Sequence, residues 1–239
     1  MFVAVLILMG LWHILAANVK NQMLPTPWAA VSEFFEIFPS TLWIHFYVSA
    51  YRVAVSLLLS MAVAVPLGLV IGREELLDRY LSPVIYLIYP IPKIVFLPVI
   101  FLLFGLGNFP KIFMISLIVT FQILVTARDA AKGIPAQNIC SMTSLGAKKW
   151  HIYYHVIWPA CLPKILTSLR ISLGTAIAVL FFVESFATAE GLGYFIMDSW
   201  SRAEYNEMFA GIIGMSILGL ALYILVDFIE AKWCRWQNL

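Results

Sequence analysis

Residues 139–159 read ICSMTSLGAKKWHIYYHVIWP. Ile139, Met142, Gly146, Trp150, Tyr153 and Ile157 recur at steps of three and four, the period of a helix with one apolar stripe. The same stretch holds Lys148, Lys149, His151 and His155, with Arg128 and Lys132 upstream and Lys164 just after. Gly146 predicts a break into two short helices, and Pro159 suits the first turn of a new one. Apolar runs long enough to cross a membrane flank it on both sides. It reads as the one sizeable polar loop of a membrane protein, ordered and shaped for docking.

Composition agrees. Of 239 residues 62% are hydrophobic and 12% charged, and the mean hydropathy is +0.93, outside the range of soluble domains. A formal charge of +2 is too small and scattered to argue for nucleic acid. Cys140, Cys161 and Cys234 show neither paired nor metal-binding spacing. They fall on the side assigned below to the cytoplasm, where thiols stay reduced, and no function is expected of them.

The pattern predicts an all-α polytopic chain, a single transmembrane domain over 1–239 with spans near 1–17, 46–71, 83–104, 111–126, 160–183 and 208–229. The first run resembles a signal peptide but lacks a basic start and a good cleavage site, so a retained span is expected. Residues 18–44 are polar to interfacial, with an amphipathic piece at 29–38 and Trp28 and Trp43 placed as belt aromatics. The second span carries Pro66 and a Gly68–Gly72 pair, which permits close helix packing but is common by chance. Residues 72–82 read as a short charged loop and 105–110 as a tight turn. The third span is interrupted by Pro90, Pro92 and Pro98, whose freed carbonyls must meet protein or a cavity rather than lipid. Residues 184–207 form a second polar segment containing Gly191-Leu192-Gly193. The loops at 72–82 and 127–164 and the C-terminal tail hold Arg73, Arg79, Arg128, Lys132, Lys148, Lys149, Lys164, Lys232 and Arg235. The opposite side holds Lys20, Lys111 and Arg202, with Arg52 near a helix end. The positive-inside rule then puts the opening stretch and both termini in the cytoplasm.

Few residues suggest chemistry. His151 and His155 share a helix face as a possible metal pair, but HIYYH lacks the glutamate of a zinc-hydrolase motif and no carboxylate is near, so interfacial histidines are the simpler reading. The chain has no phosphate-binding Walker loop and no nucleophile elbow. Lys93, about ten residues into a span, would sit near mid-bilayer at ~1.5 Å per residue. It is either a pathway group suited to an anionic solute, or a snorkelling side chain, or part of a proline-broken helix lying shallower. Gln122 reads as a helix–helix hydrogen-bonding residue or a ligand, and Glu184 as an exit-lining or water-facing group.

Gly146 and Pro159, with Val156-Ile157-Trp158 between them, stand at the spacing of the Glu-Ala-Ala loop of binding-protein-dependent permeases. The chain therefore resembles the inner-membrane permease subunit of ABC importers. The triad itself is replaced by Cys140-Ser141-Met142, and Asp129-Ala130-Ala131 lies at the wrong distance from a glycine and proline to serve instead. Pro25-Thr26-Pro27, Ser82-Pro83, Tyr89-Pro90-Ile91-Pro92, Phe104-Gly105-Leu106-Gly107, Ser144-Leu145-Gly146-Ala147, Leu169–Gly174 and Gly191-Leu192-Gly193-Tyr194 resemble the nitrate/sulfonate/taurine branch, which usually has proline or an apolar residue where Lys93 stands. The resemblance implies a non-catalytic homodimer in the inner membrane, with two cytoplasmic ATPase subunits holding ATP and magnesium and an external solute-binding protein. It implies no cofactor on this chain. It makes 127–159 the coupling loop, with Cys140, Ser141, Met142, Ser144, Leu145, Gly146, Ala147, Lys148 and Pro159 contacting or shaping the contact to the ATPase. Tyr89, Pro92, Lys93, Gln122 and Glu184 are the pathway candidates, in a pore at the dimer interface lined by the third to fifth spans. The solute favoured by this reading is a small anion of the nitrate, sulfonate, taurine or bicarbonate class, with an uncharged vitamin precursor left open. An ion-coupled secondary transporter would call for inverted repeats and intramembrane carboxylates, and a membrane enzyme for clustered polar groups at one depth. Neither pattern is clear.

Overall fold

The computed structural model describes residues 2–19 and 23–238. Met1, the start of the first expected span, and Lys20, one of the basic residues used for orientation, lie outside the described residues. Among the described residues the fold is all-helical, in two compact units made of 1–52 with 180–220 and of 53–179 with 221–239.

The first unit opens with α1 (Phe2–Val19) and α2 (Pro27–Ile37). Thr26 starts α2, its Oγ1 accepting the Ala29 N–H at 3.3 Å, while Pro27 occupies the position where a missing N–H costs nothing. A wide π turn at Phe38–Leu42 absorbs Pro39 and leads straight into α3 (Trp43–Arg73). The expected amphipathic piece and second span are thus one helix, Pro27–Arg73, of 47 residues. Trp12 of α1 donates to Pro25 O at 3.1 Å and stacks on Phe209 at 5.4 Å. The end of α9 (Trp158–Glu184), α10 (Leu192–Ser201) and the start of α11 (Tyr205–Trp233) complete this unit.

The second unit is built around α6 (Asn108–Lys132), where Met114, Ile115, Val119 and Ile123 are fully buried. The Gly68–Gly72 pair of α3 packs directly on this helix. A Cβ on Gly68 would come within 2.7 Å of Ala127 Cβ, and one on Gly72 within 2.3 Å of Arg128 O. Hydroxyls extend the same seam: Ser56 Oγ donates to Ile112 O at 3.2 Å and Ser60 Oγ to Ser116 O at 3.1 Å. Such small-residue contacts let helix backbones approach where no hydrophobic force drives them together.

Several expected boundaries move. The charged piece 72–82 is helical, because α3 runs through Arg73 and α4 (Glu75–Ile88) starts after Glu74 alone. Glu75 and Asp78 sit in the first turn of α4, where acids favour the exposed N–H groups. The third expected span is α4 joined to α5 (Leu97–Phe104) through residues 89–92 and a 3₁₀ turn at Lys93–Phe96, bent by 75°. The expected turn at 105–110 ends sooner, since Asn108 is already helical. Likewise α6 continues to Lys132, so 127–132 belongs to a span and not to a loop. Among the described residues four helices are long and apolar enough to cross a membrane, or five if the bent pair counts as one. The apolar part of α1 is the shorter Val5–Asn18, so the expected six is not reached by length and composition.

Candidate functional site

The opening stretch begins inside α7 (Ala136–Ser144), a helix none of whose residues is buried. Its end is a Schellman turn: the Gly146 N–H bonds Thr143 O at 2.9 Å and the Ala147 N–H bonds Met142 O at 3.1 Å. That double closure needs a left-handed residue at its apex, and Gly146 has φ +78°. Cys140, Ser141 and Ser144 are exposed, Met142 and Ala147 half-buried, and Leu145 is 82% exposed. The chain then re-enters helix at α8 (Lys149–Ile152), where His151 Nδ1 accepts the Lys148 N–H at 3.3 Å. One nitrogen of the expected His151–His155 pair is therefore engaged in capping.

From Lys149 the helix is continuous to Glu184, 36 residues. It passes through a π turn at Tyr153–Ile157, with the Trp158 N–H bonding back to Tyr153 O. Pro159 follows at once. It does not begin a separate helix, as the sequence suggests, but sits in the first regular turn after the widened one. A proline ring clashes with the carbonyl four residues back in a regular helix, and the π turn relieves that clash. At the adjoining ends of α4 and α6, Asp78 accepts Arg128 Nε at 2.6 Å, Lys132 Nζ at 2.7 Å and Ser82 Oγ at 2.5 Å. The frame beside the segment is pinned, while α7 keeps only Ile139 and Met142 half-buried. Ala130 and Ala131 are buried within α6, and Asp129 pairs with Arg128 at 2.9 Å, so that look-alike triad is part of a span helix.

A cleft of about 390 Å³ opens in the second unit, lined by Tyr89, Gln122 and Thr126 on one side and by Lys164, Thr167, Ser168 and Ser172 of α9 on the other. Ser168 Oγ donates to Thr126 Oγ1 at 3.0 Å. Gln122 Nε2 donates to Thr175 Oγ1 at 3.2 Å, which leaves the buried Oε1 without a partner. Two of the five pathway candidates, Tyr89 and Gln122, therefore meet. The hydroxyls and the lysine that join them follow no motif, and only their i, i+4 spacing on one helix face (Lys164, Ser168, Ser172) offered a signal.

Lys93 lies on the bent stretch between α4 and α5. It is half-buried at the break after α4, donating to Ile88 O at 3.3 Å, Tyr89 O at 3.2 Å and Ile91 O at 3.4 Å. Its ammonium also lies 4.4 Å from the centroid of Phe121. Pro92 cannot supply the N–H that Ile88 O would meet in a continuing helix, and the Ile91 N–H at 3.1 Å and the Lys93 ammonium meet it instead. Pro92 is exposed and forms the bend.

Glu184 does not face water. It is fully buried in the first unit, accepting Ser49 Oγ at 2.7 Å, Arg52 Nη1 at 2.8 Å and the Gly193 N–H at 3.0 Å. Arg52 Nη1 also reaches Glu190 O at 2.9 Å, and His45 Nδ1 accepts the Gly191 N–H at 3.1 Å. Gly191 has φ +117°, and a Cβ there would lie 2.4 Å from Glu184 Cδ. The Gly-Leu-Gly motif thus closes over a buried ion pair. Sequence reading noted both Arg52 and Glu184 but did not pair them.

The family described as "Binding-protein-dependent transport system inner membrane component" matches residues 64–233. The chain belongs to that family. As a permease of this kind it is a non-catalytic membrane subunit of an ABC importer, and it associates with separate ATPase and binding-protein subunits. A relative assigned to aliphatic sulfonate transport, SsuC of Bacillus subtilis, is 30% identical over 236 residues, covering 97% of the permease and 85% of that protein. The taurine transport system permease protein TauC of Escherichia coli is 29% identical over 199 residues, 83% and 72% of the two chains. The nitrate import permease protein NrtB of Synechocystis sp. is 24% identical over 241 residues, 96% and 86%. Among solved structures, the inward-facing MetNI methionine ABC transporter aligns with a TM-score of 0.69 at 21% identity, over 80% of the permease and 95% of that chain. At that identity the likeness speaks for the fold.

Proposed function

We propose that the chain is a single permease domain that pairs with a second copy and admits a small anionic solute by alternating access, driven by ATP and magnesium held on the ATPase. The observation that carries the reading is α7 with its turn. It is an ordered helix without a buried residue, joined through a capped bend to a 36-residue helix apolar enough to span. A partner biases two states only through contacts that differ between them, and this is a surface on which a motor acts with leverage. Cys140, Ser141, Met142, Ser144 and Leu145 meet the ATPase in this reading. Gly146 and Ala147 fix the turn, Lys148 starts the next helix, and Pro159 with its π turn sets the tilt of the span. The polar position left by the missing Glu-Ala-Ala glutamate falls to Ser141 or to the partner.

The basic residues around α7 support a cytoplasmic placement of this segment and of both termini in the inner membrane, with lipid around the remaining apolar faces. Lys164 and the hydroxyls of the cleft suit an anion, which agrees with relatives named for sulfonate, taurine and nitrate. Tyr89 and Gln122 belong to that route. Pro92 and Lys93 shape the bend beside it, and Glu184 holds the first unit together away from solute. Disulfide trapping tests the reading. Leu145→Cys, paired with cysteines in the groove of the co-expressed ATPase, should cross-link and block uptake. A Leu145→Cys permease that transports normally and cross-links to no ATPase position would refute it.

A further inference from the structure

A second recess, of about 330 Å³ and almost wholly apolar, lies immediately beside the coupling segment. Pro66, Leu69 and Val70 of α3 form one wall, and Trp150, Tyr154 and Trp158 the other. Both walls run along helix axes from an end that bears charge. Pro66 to Val70 covers four residues, ~6 Å of helix, with Arg73 three residues beyond, and Trp150 to Trp158 covers eight, ~12 Å, with Lys149 just before. The recess therefore lies along both helices, a few residues from their charged ends.

Its rim is basic. Lys148, Lys149, His151 and His155 are all exposed, and no acid occurs between Gly146 and Trp158. Glu74 meets Lys149 at 3.2 Å, with the lysine side chain 84% exposed, a contact weakened by solvent. Trp150 is 73% exposed and stacks on Tyr154, itself 58% exposed, at 6.3 Å. Large rings with a polar edge, left open beside lysines, are the side chains that settle at the headgroup level of a bilayer. Cationic charge beside that level favours anionic headgroups.

We infer that this recess binds one anionic phospholipid, its acyl chain between α3 and the Trp150–Trp158 face and its phosphate on Lys148 and Lys149. A lipid fits better than a folded protein partner, because the recess is small and almost wholly apolar and lysines flank it. Bound lipid would brace the helix to which α7 is attached. The inference concerns a lipid beside the lever and is independent of which solute crosses.

Native mass spectrometry of the full permease, purified with its ATPase and titrated with phosphatidylglycerol or phosphatidylcholine of equal chain length, tests it. The wild type should retain phosphatidylglycerol preferentially. Lys148→Gln with Lys149→Gln should shrink that preference about ten-fold, and Lys148→Arg with Lys149→Arg should keep it. Trp150→Ala with Tyr154→Ala should lower retention of both lipids, whereas Leu102→Ala, on another exposed apolar face, should not. Equal retention of the two lipids by the wild type overturns the inference, as does unchanged preference in the glutamine variant. A Trp150→Cys side chain that cross-links in membranes to a second permease copy or to the ATPase also overturns it, because a protein then fills the recess.

Discussion

At the scale of single residues the permease spends its intramembrane charges on its own structure. Arg52 and Glu184, with side chains 3% and 0% exposed, hold each other while the remaining lone pairs of the carboxylate are met by Ser49 and Gly193. Removing one partner of such a pair strands the other charge and costs about 3–5 kcal/mol. Arg52→Gln and Glu184→Gln should each lower the unfolding midpoint of the purified complex sharply. Arg52→Met with Glu184→Met should lose less than the sum of the two, measured by the same thermal scan. Little of this was legible, because the partners lie 132 positions apart, and no local pattern encodes which arginine answers which glutamate. Lys93 shows the converse: its position in a proline-broken run was plain, but its three carbonyl acceptors depend on how the break folds. Lys93→Met should therefore destabilise the complex while leaving the KM of uptake unchanged. A raised KM would move Lys93 into the solute's route.

At the scale of elements, glycine and proline carried most of the readable signal. Gly146 was expected to end one short helix, and it does so at φ +78° in a doubly closed turn. A Cβ there meets open space, so substitution is opposed by backbone conformation and not by crowding, at about 1–2 kcal/mol for an L side chain. Gly146→Ala should thus leave the complex assembled but loosen the joint between α7 and α8, giving ATP hydrolysis with less uptake per ATP. Gly146→Asn, which tolerates the left-handed region, should sit nearer the wild type. The ratio of hydrolysis to uptake in proteoliposomes decides this, and full coupling in the alanine variant would detach the turn from the mechanism. The π turns at Phe38–Leu42 and Tyr153–Ile157 were not legible. One extra residue in a turn leaves the apolar period nearly intact over a short window, so Pro159 reads as a new start when it is a repaired interruption. Boundaries at Arg73, Glu75 and Lys132 shifted for a related reason: charge density suggested loops, yet these charges are satisfied on helices, in part through Asp78.

For the molecule as a whole, the all-helical membrane class and the family followed from composition and from the Gly146–Pro159 spacing, whereas the number of spans and the solute route depend on tertiary placement. The cleft shows why. Gln122 stood out only as a polar residue in a span, and it acquires meaning from Thr175 and from the hydroxyls of α9 that share its cleft. Along α9 the cleft's polar lining runs from Lys164 to Ser172, eight residues or ~12 Å of helix, and Gln122, with its Oε1 unpaired, lines the facing side. On the proposed route an anion would trade hydration for Lys164 and for hydroxyls that already donate within the protein, Ser168 to Thr126 and Ser172 to Ser168 O, so those bonds would have to open as it passes. Ser168 lies midway and donates across to Thr126. Ser168→Leu replaces that donor by a branched apolar side chain where the two walls approach. Solute uptake should fall by at least ten-fold, while assembly with the ATPase and hydrolysis of ATP persist, because α7 and its turn are untouched. Ser168→Thr, which restores the hydroxyl at modest extra volume, should recover most of the uptake. If Ser168→Leu transports as well as the wild type, the solute does not pass through this cleft, and the hydroxyl ladder is a helix-packing device like the serines of α3 and α6.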